Sequence, residues 1–240
     1  ILGAAVHAEE VQIWTDVSGI RTCGPSLDPD AQSLRRLSFD EASELAYYGA
    51  EVLHPSTLVP AIHAGIPVRV LNTLRPQDEG TLILPTSVVS ERYAKSIVYK
   101  EDVNLITIAS PRLMSAVQIL SRAFEILTRH DIGVHMATTS EATVSVVTDH
   151  DYSGTVMDAA IHDLSALGEA DVEHGKTIIC VVGEELKGRA DVLEQVFGSL
   201  RARGIKARMV SQSSSEINVA FLVDNSEVQT AVTALHKLIV

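Results

Sequence analysis

The sequence predicts an α/β protein in which one α/β layer domain is followed by two ferredoxin-like βαββαβ units. Three observations predict this fold class. Residues 1–88 show a strand–helix–helix–strand order that is typical of α/β layers. A unit of about seventy residues then occurs twice, which is too long for a solenoid period and indicates two copies of one small domain. Each copy shows the β-α-β-β-α order, and the first adds a closing strand.

The duplication is visible in the residues themselves. Residues 105–108 return as 178–181, and residues 123–132 return as 196–205, both 73 positions later. The pair Ser140-Glu141 returns as Ser215-Glu216, 75 positions later, because two residues are inserted. Neither copy carries a nucleophile and base of its own. We therefore expect the two copies to regulate another activity.

The first domain is predicted element by element. Residues 11–14 form a short strand, and Ser38-Phe39-Asp40-Glu41 is a capping box that opens a helix over 40–48. A second helix covers 56–64 and ends at Gly65, and the mostly apolar residues 66–72 form a strand buried in a parallel or mixed sheet. The polar residues 85–94 suit a linker. We set the domain boundary at residue 88, with 89–94 as the linker.

The repeats are predicted in the same way. The elements of the first are strand 104–109, helix 113–130, strands 133–139 and 143–148, helix 154–166 and strand 171–174; those of the second are strand 177–182, helix 188–203, strands 206–212 and 217–223 and helix 226–238. In the first helix, Val117, Leu120, Phe124 and Leu127 recur at helical spacing and are predicted to pack on the sheet.

The second repeat lacks its fourth strand, and a lone strand at 95–100 has no place in the first. An open sheet edge is a liability that other chain segments usually cover. We therefore predict that the first repeat, residues 101–175, is inserted in the second, which consists of 95–100 and 176–240.

Composition excludes several classes of function. The net charge of −12 argues against nucleic acid, and no apolar run reaches the roughly 20 residues that span a bilayer. Cys23 and Cys180 lack partners at metal-ligand spacing, so we expect reduced, structural thiols in a cytoplasmic protein and no metal site. The chain starts at Ile1 without a methionine, and we expect it to be a fragment.

Short motifs give the sequence a family resemblance. Residues 14–19 (Trp-Thr-Asp-Val-Ser-Gly), 49–55 (Gly-Ala-Glu-Val-Leu-His-Pro) and 80–83 resemble the C-terminal part of the aspartate kinase catalytic domain. Residues 138–141 and 211–218 resemble the signatures of that family's paired ACT domains. The resemblance implies an amino-acid-kinase-like first domain and transfer of a phosphoryl group from Mg-ATP to L-aspartate. The product, 4-phospho-L-aspartate, leads to lysine, threonine and methionine, with feedback inhibition by an amino acid.

The resemblance also implies nucleotide-binding residues, namely Thr15, Asp16, Arg21, Ser26, Glu51 and Val52. Glu51 stands where the family has lysine, Arg21 where it has an aromatic residue, and Gly24-Pro25-Ser26 where it has Asp-Pro-Arg. We therefore expect weakened nucleotide binding. The family's two glycine-rich phosphate loops do not occur in this sequence, so we assign no catalytic residue and expect the segment alone to be inactive.

An amino-acid effector site is implied in the first repeat, formed by Leu113, Ala116, Ile119, Leu120, Val134, His135, Ser140 and Glu141. Lysine is the favoured effector and threonine the alternative. His135 stands where the family commonly has Asp, and a half-buried structural histidine is the simpler interpretation of it. Ser140 and Glu141 could equally be turn residues.

We expect a homodimer through the ACT domains. The alternative function is a non-catalytic regulatory subunit that binds an amino acid and a catalytic kinase chain.

Overall fold

The computed structural model describes residues 1–49, 55–86, 94–110, 115–150 and 152–239. The chain divides into two compact units. The first unit consists of residues 1–100 and 179–240, and the second unit consists of residues 101–178. The first unit is therefore discontinuous in sequence, and the second unit is inserted into it.

The amino-terminal part of the first unit is a mixed α/β layer. Its elements are α1 (Leu2–Ala5), β1 (Val11–Thr15), β2 (Arg36–Ser38), α2 (Phe39–Tyr47), α3 (Pro55–Ala64), β3 (Val68–Asn72) and β4 (Thr81–Leu84). The sheet order is β1-β3-β4-β2, with β1 parallel to β3 and β4 antiparallel to β3. The prediction of a parallel or mixed sheet is confirmed, and the sheet is mixed. The short elements α1, β2 and β4 were not predicted, because three or four residues carry too little periodicity.

The second unit has the predicted ferredoxin-like topology. Its elements are β5 (Ser96–Ala109), α4 (Ala116–Arg129), β6 (Val134–Thr139), β7 (Thr143–Asp149), α5 (Gly154–Leu164) and β8 (Glu169–Val182). Both β5 and β8 extend beyond this unit, and their parts in it complete the strand order β6-β7-β5-β8. This order places the first and last strands of the repeat next to each other.

The carboxyl-terminal part of the first unit repeats that topology. After β8 the chain forms α6 (Ala190–Arg201), β9 (Met209–Ser211), β10 (Asn218–Asp224) and α7 (Val228–His236), and 3-10 turns precede both helices. The strand order is β5-β8-β10-β9, and the Lys95 amide donates to the Val182 carbonyl at 2.8 Å. The first residues of β5 thus supply the fourth strand that the second repeat lacks, as predicted.

Two predicted chain breaks are wrong. Strands 95–100 and 104–109 are one strand, β5, and strands 171–174 and 177–182 are one strand, β8. The chain instead continues as a strand with a local positive φ, 54° at Asp102 and 66° at Gly175. A single left-handed residue inside a strand is typical of a bulge, which bends the ladder without ending it.

The predicted buried face of α4 is wrong for two of its four residues. The helix buries Ile119, Ala123, Ile126 and Leu127, whereas Val117 is 75% exposed and Phe124 is 36% exposed. Two apolar stripes run side by side on this helix, and both satisfy helical spacing. Only packing against β5 and β7 could decide which stripe enters the core.

Both cysteines lie in the hydrophobic core of the first unit. Cys23 is 4% exposed and belongs to the cluster formed mainly by β8, β10, α6 and α7, and Cys180 is fully buried on β8. Desolvation, reinforced by the charge of Asp28, raises the pKa of Cys23 to about 11. Neither thiol is poised for reaction, since a reactive cysteine needs a lowered pKa and access to solvent.

The predicted capping box at the start of α2 is confirmed, and it has a wider role. The Ser38 Oγ accepts from the Glu41 amide at 3.1 Å, and the Ser38 amide donates to Glu41 Oε2 at 3.0 Å. Glu41 is fully buried, and the same Oε2 accepts from Lys95 Nζ at 2.8 Å. Its Oε1 accepts from the Glu184 amide at 3.0 Å. One carboxylate therefore links α2 to two segments of the second repeat.

This geometry predicts a large cost for removing the lysine. We expect Lys95→Met to lower the free energy of unfolding by about 3–5 kcal/mol, because the Glu41 charge stays buried without its ionic partner. The measurement is urea unfolding of the 240-residue chain, followed by the fluorescence of Trp14, its single tryptophan.

The matched control is Arg35→Met. Arg35 pairs with Glu79 at 3.6 Å, but the two side chains are 83% and 76% exposed. Such a pair contributes less than about 1 kcal/mol. Equal losses in the two variants would contradict a stabilising role for the Glu41–Lys95 pair.

Candidate functional site

The first candidate site lies where β1 and β3 end. These parallel strands align Thr15 with Asn72, so their carboxyl ends meet at one edge of the sheet. Ligands of α/β proteins commonly bind at such an edge. Asn72 is 5% exposed, and its Nδ2 donates to the Asp16 carbonyl at 3.2 Å and to Ser18 Oγ at 2.9 Å. This buried amide fixes the turn that follows β1.

Asp16 of this turn is exposed, whereas Thr15 and Ser18 are half-buried. Thr15 Oγ1 donates to Asp16 Oδ1 at 3.1 Å, and Ser18 Oγ donates to Asp78 Oδ2 at 2.5 Å. Gly19 closes the turn with a φ of 94°, and a Cβ there would lie 2.4 Å from Thr81 Oγ1, so only glycine fits. The edge presents carboxylates, which can accept hydrogen bonds from sugar hydroxyls or from the amino group of a base.

Two other predicted nucleotide contacts lie on the segment of residues 20–34, between this turn and β2. Arg21 Nη1 donates to the Ala31 carbonyl at 3.4 Å, and the Arg21 carbonyl accepts from Ser96 Oγ at 2.8 Å. Ser26 Oγ lies 3.4 Å from the Tyr99 hydroxyl. Arg21 and Ser26 thus contact their own segment and β5, whereas Thr15 and Asp16 lie at the strand end. The predicted contacts at Glu51 and Val52 fall outside the described residues.

The second candidate site is the predicted effector site in the second unit. Ser115 caps α4, since its Oγ accepts from the Gln118 amide at 3.3 Å and its amide donates to Gln118 Oε1 at 2.9 Å. Ala116 and Leu120 are partly exposed near this end of the helix, whereas Ile119 is fully buried in the core. Leu113 falls outside the described residues.

The predicted site residue His135 lies at the other end of β6 and β7 from Ser140 and Glu141, beside a carboxylate that sequence analysis did not assign to a site. His135 Nε2 lies 2.9 Å from Asp149 Oδ1, and the His135 side chain is 15% exposed. Asn104, 1% exposed, donates from Nδ2 to the Asp149 carbonyl at 2.8 Å. Val134 packs against the core beside them. In the sequence, Asp149 directly follows the predicted strand 143–148. Pairing that strand with the preceding one, so that Val134 aligns with Thr148, would have placed Asp149 near His135.

The repeated Ser-Glu pair has different contacts in the two repeats. Ser140 and Glu141 form the turn between β6 and β7, where the Ser140 amide donates to the Thr143 carbonyl at 2.8 Å. Glu141 is exposed, and no hydrogen bond or ion pair with another described residue engages its carboxylate. In the second repeat, Glu216 Oε2 accepts from the Gly188 amide at 2.8 Å. The Glu141 carboxylate of the first repeat is therefore available to another partner, whereas the corresponding Glu216 carboxylate of the second repeat already accepts a hydrogen bond.

A groove of about 530 Å³ lies on the helical face of the second unit. It is lined by Arg122, Glu125, Ile126, Arg129, His162, Asp163, Ala166 and Leu167. A hydrogen bond from His130, 2.9 Å long, lowers the pKa of Asp163, and nearby positive charges act in the same direction. The groove contains none of the predicted site residues.

Within the described ranges, no cluster of three or more His, Cys, Asp or Glu could hold a metal ion, and no helix is long and apolar enough to cross a membrane.

Comparison with known proteins identifies the two parts of the chain. Residues 1–72 match the amino acid kinase family, and residues 179–238 match the ACT domain. The molecule thus combines an amino acid kinase segment with an ACT domain.

The relatives give a narrower family. Aspartokinase 1, chloroplastic, from Arabidopsis thaliana is 35% identical over 242 residues, which cover 98% of this chain and 42% of that protein. The crystal structure of E. coli aspartokinase III in complex with aspartate and ADP (R-state) has a TM-score of 0.87 at 33% identity, covering 99% of this chain and 54% of that one. Its complex with lysine and aspartate (T-state) has a TM-score of 0.85 at 34% identity, with coverages of 99% and 53%. The chain is an aspartokinase homologue, and it spans about half the length of the curated relatives it matches.

The strand-end site predicts the effect of removing its buried amide. We expect Asn72→Leu to lower the free energy of unfolding by about 1–3 kcal/mol, because the Asp16 carbonyl and the Ser18 hydroxyl lose the amide that donates to both. Amide hydrogen exchange at residues 16–19 should become about tenfold faster, a local change of the kind that exchange reports. Gln12→Leu, an exposed change on β1, is the control. Equal exchange in the two variants would contradict the role given to Asn72.

Proposed function

We propose that this chain is the carboxyl-terminal part of an aspartate kinase and that its two repeats provide feedback control by an amino acid. The family resemblance extends over 98% of the chain and includes both the kinase segment and the ACT domain. The E. coli relative binds aspartate and ADP in one crystal structure and lysine and aspartate in another. These ligands support a kinase that phosphorylates aspartate and responds to lysine.

In the complete enzyme, the strand-end site contributes to nucleotide binding. Phosphoryl transfer depends mainly on positioning and on neutralising negative charge, and the phosphoryl group passes from Mg-ATP to the side-chain carboxylate of L-aspartate. Thr15 and Asp16 suit the ribose or base, because a carboxylate accepts hydrogen bonds but repels phosphate. Arg21 and Ser26 on the 20–34 segment, with Glu51 and Val52, complete the proposed set. Glu51 adds negative charge, so we expect weak nucleotide affinity.

The effector site lies in the first repeat, and the observation that carries this proposal is the available carboxylate of Glu141. Glu216, its counterpart, already accepts a backbone hydrogen bond from Gly188. The Glu141 carboxylate is the group that an ammonium ion requires, whereas Asp149 and His135 lie at the opposite end of β6 and β7. The helix start at Ser115 provides a dipole of the sign that favours an α-carboxylate. Lysine, with two ammonium groups, is the favoured effector, and threonine is the alternative.

The kinase segment at residues 1–72 favours this proposal over a non-catalytic regulatory subunit. Such a subunit would need only the paired ACT domains. The β1–β3 edge, with its ordered turn and polar face, is a feature that an effector-binding module alone does not require.

Isothermal titration of the 240-residue chain with lysine and with threonine tests the proposal. We expect lysine to bind and Glu141→Gln to weaken it about tenfold or more, since a charged hydrogen bond contributes about 1.5–3 kcal/mol. The matched control is Glu216→Gln, which should lower stability but keep lysine affinity. At one hundred times its dissociation constant, lysine should also stabilise the chain by about 2.7 kcal/mol. Absence of binding by both amino acids, or equal losses in the two variants, would refute the effector site.

We further propose a homodimer formed through the repeats. Val117 and Phe124 leave an apolar stripe of α4 exposed, and a partner subunit would cover it. Sedimentation velocity should give twice the chain mass of 25.8 kDa, and Phe124→Ser should shift the equilibrium towards the monomer. A monomer at all concentrations tested would exclude this assembly.

A further inference from the structure

The 20–34 segment is held by α7 of the second repeat as well as by β5. Its ends are joined by hydrogen bonds from the Thr22 amide to the Gln32 carbonyl and from the Leu34 amide to the Ile20 carbonyl. On one side, the Thr22 carbonyl accepts from the Ile97 amide at 2.8 Å. On the other side, the segment meets His236, the last residue of α7.

The imidazole of His236 lies between two side chains of this segment. Its Nε2 is 2.8 Å from Thr22 Oγ1, and its Nδ1 is 3.1 Å from Asp28 Oδ2. All three residues are at most 5% exposed. Gln229 Nε2 of α7 also donates to the Leu27 carbonyl. The contacts join residues more than 200 positions apart in the sequence, and all of them lie within the first unit.

One tautomer satisfies every polar group in this arrangement. With the proton on Nδ1, the ring donates to Asp28, and Nε2 accepts from the Thr22 hydroxyl, whose oxygen accepts from the Gln32 amide at 2.9 Å. Asp28 Oδ1 accepts from the Asp30 amide at 3.0 Å. The tautomer follows from this network of donors and acceptors.

The order of carboxylate, imidazole and hydroxyl resembles a catalytic triad, but the chemistry does not fit one. A triad hydroxyl must reach the substrate. The Thr22 side chain is 2% exposed, and its oxygen already accepts a backbone hydrogen bond. Removing the imidazole would leave the buried Asp28 carboxylate without its side-chain donor, which would lower the free energy of unfolding. The arrangement therefore holds the segment in one conformation.

We propose that His236 is a positioning residue for the nucleotide. It sets the conformation of the segment that carries Arg21 and Ser26, and it makes nucleotide affinity sensitive to the position of α7. This inference rests on the proposed nucleotide function of that segment. The coupling is reciprocal, so nucleotide binding also stabilises the contact between the 20–34 segment and α7.

Two measurements on the 240-residue chain test the proposal, each on wild type, His236→Ala and His236→Gln. The first is amide hydrogen exchange at residues 20–34, and the second is an ADP titration followed by NMR chemical shifts, which detects weak binding. We expect His236→Ala to speed exchange in the segment and to weaken ADP affinity, each about tenfold. His236→Gln should recover part of both effects, because its amide keeps one donor and one acceptor. The exposed His162→Gln is the control.

The outcomes separate this inference from the proposed function. If His236→Ala is folded and binds ADP like the wild type, the positioning role is wrong while the nucleotide function stands. Unchanged exchange at 20–34 also overturns it. If the wild type binds no ADP, both the nucleotide function and the inference fall. Should His236→Ala not fold, Thr22→Val is measured in its place, with the same expected directions; it removes the Nε2 contact and the acceptor of the Gln32 amide but keeps the contact between His236 and Asp28.

Discussion

Glu41 lies fully buried on α2, and its carboxylate accepts hydrogen bonds from three separate segments of the first unit: the start of its own helix, Lys95 and Glu184. An ionised carboxylate is stable in such a place only when paired and fully hydrogen-bonded. One turn further along α2, Glu44 accepts from Asn218 of β10. The contacts of α2 thus bind the kinase segment to the second repeat through polar groups whose loss would be costly. This explains why residues 1–100 and 179–240 form one compact unit.

A second set of buried polar contacts joins the same two parts at the 20–34 segment. Cys23, Leu27 and Ala31 pack with the core of the second repeat, and Tyr99 fills the space beside Gly24. This segment also follows the turn that ends β1. A change in the second repeat therefore has two physical routes to the kinase segment, one through α2 and one through α7. We propose these contacts as the route by which regulation reaches the nucleotide in the complete enzyme.

The two repeats share a fold but not their polar contacts. Glu216 is engaged by a backbone amide, whereas Glu141 at the corresponding turn is available. The first repeat places His135 against Asp149, and the second uses Asn218, at the start of its third strand, to contact Glu44. Duplication preserved the apolar periodicity that builds each sheet, because that periodicity specifies the fold. The polar residues at the edges were free to diverge, and they distinguish a repeat with an available carboxylate from a repeat that contacts the kinase segment.

The sequence alone determined the βαββαβ order of the repeats, the insertion of one repeat in the other, a parallel or mixed first sheet and the capping box at Ser38 and Glu41. It also placed Thr15 and Asp16 at the end of a strand. These features depend on local periodicity, local capping or the count of strands. Only the tertiary structure decided which stripe of α4 is buried, that β5 and β8 continue through polar residues, and which partners Asn72, Asp149 and His236 contact. Each of these depends on side chains or strands that are distant in sequence and meet only when the chain folds, and a buried polar group carries no periodic signal of its partner.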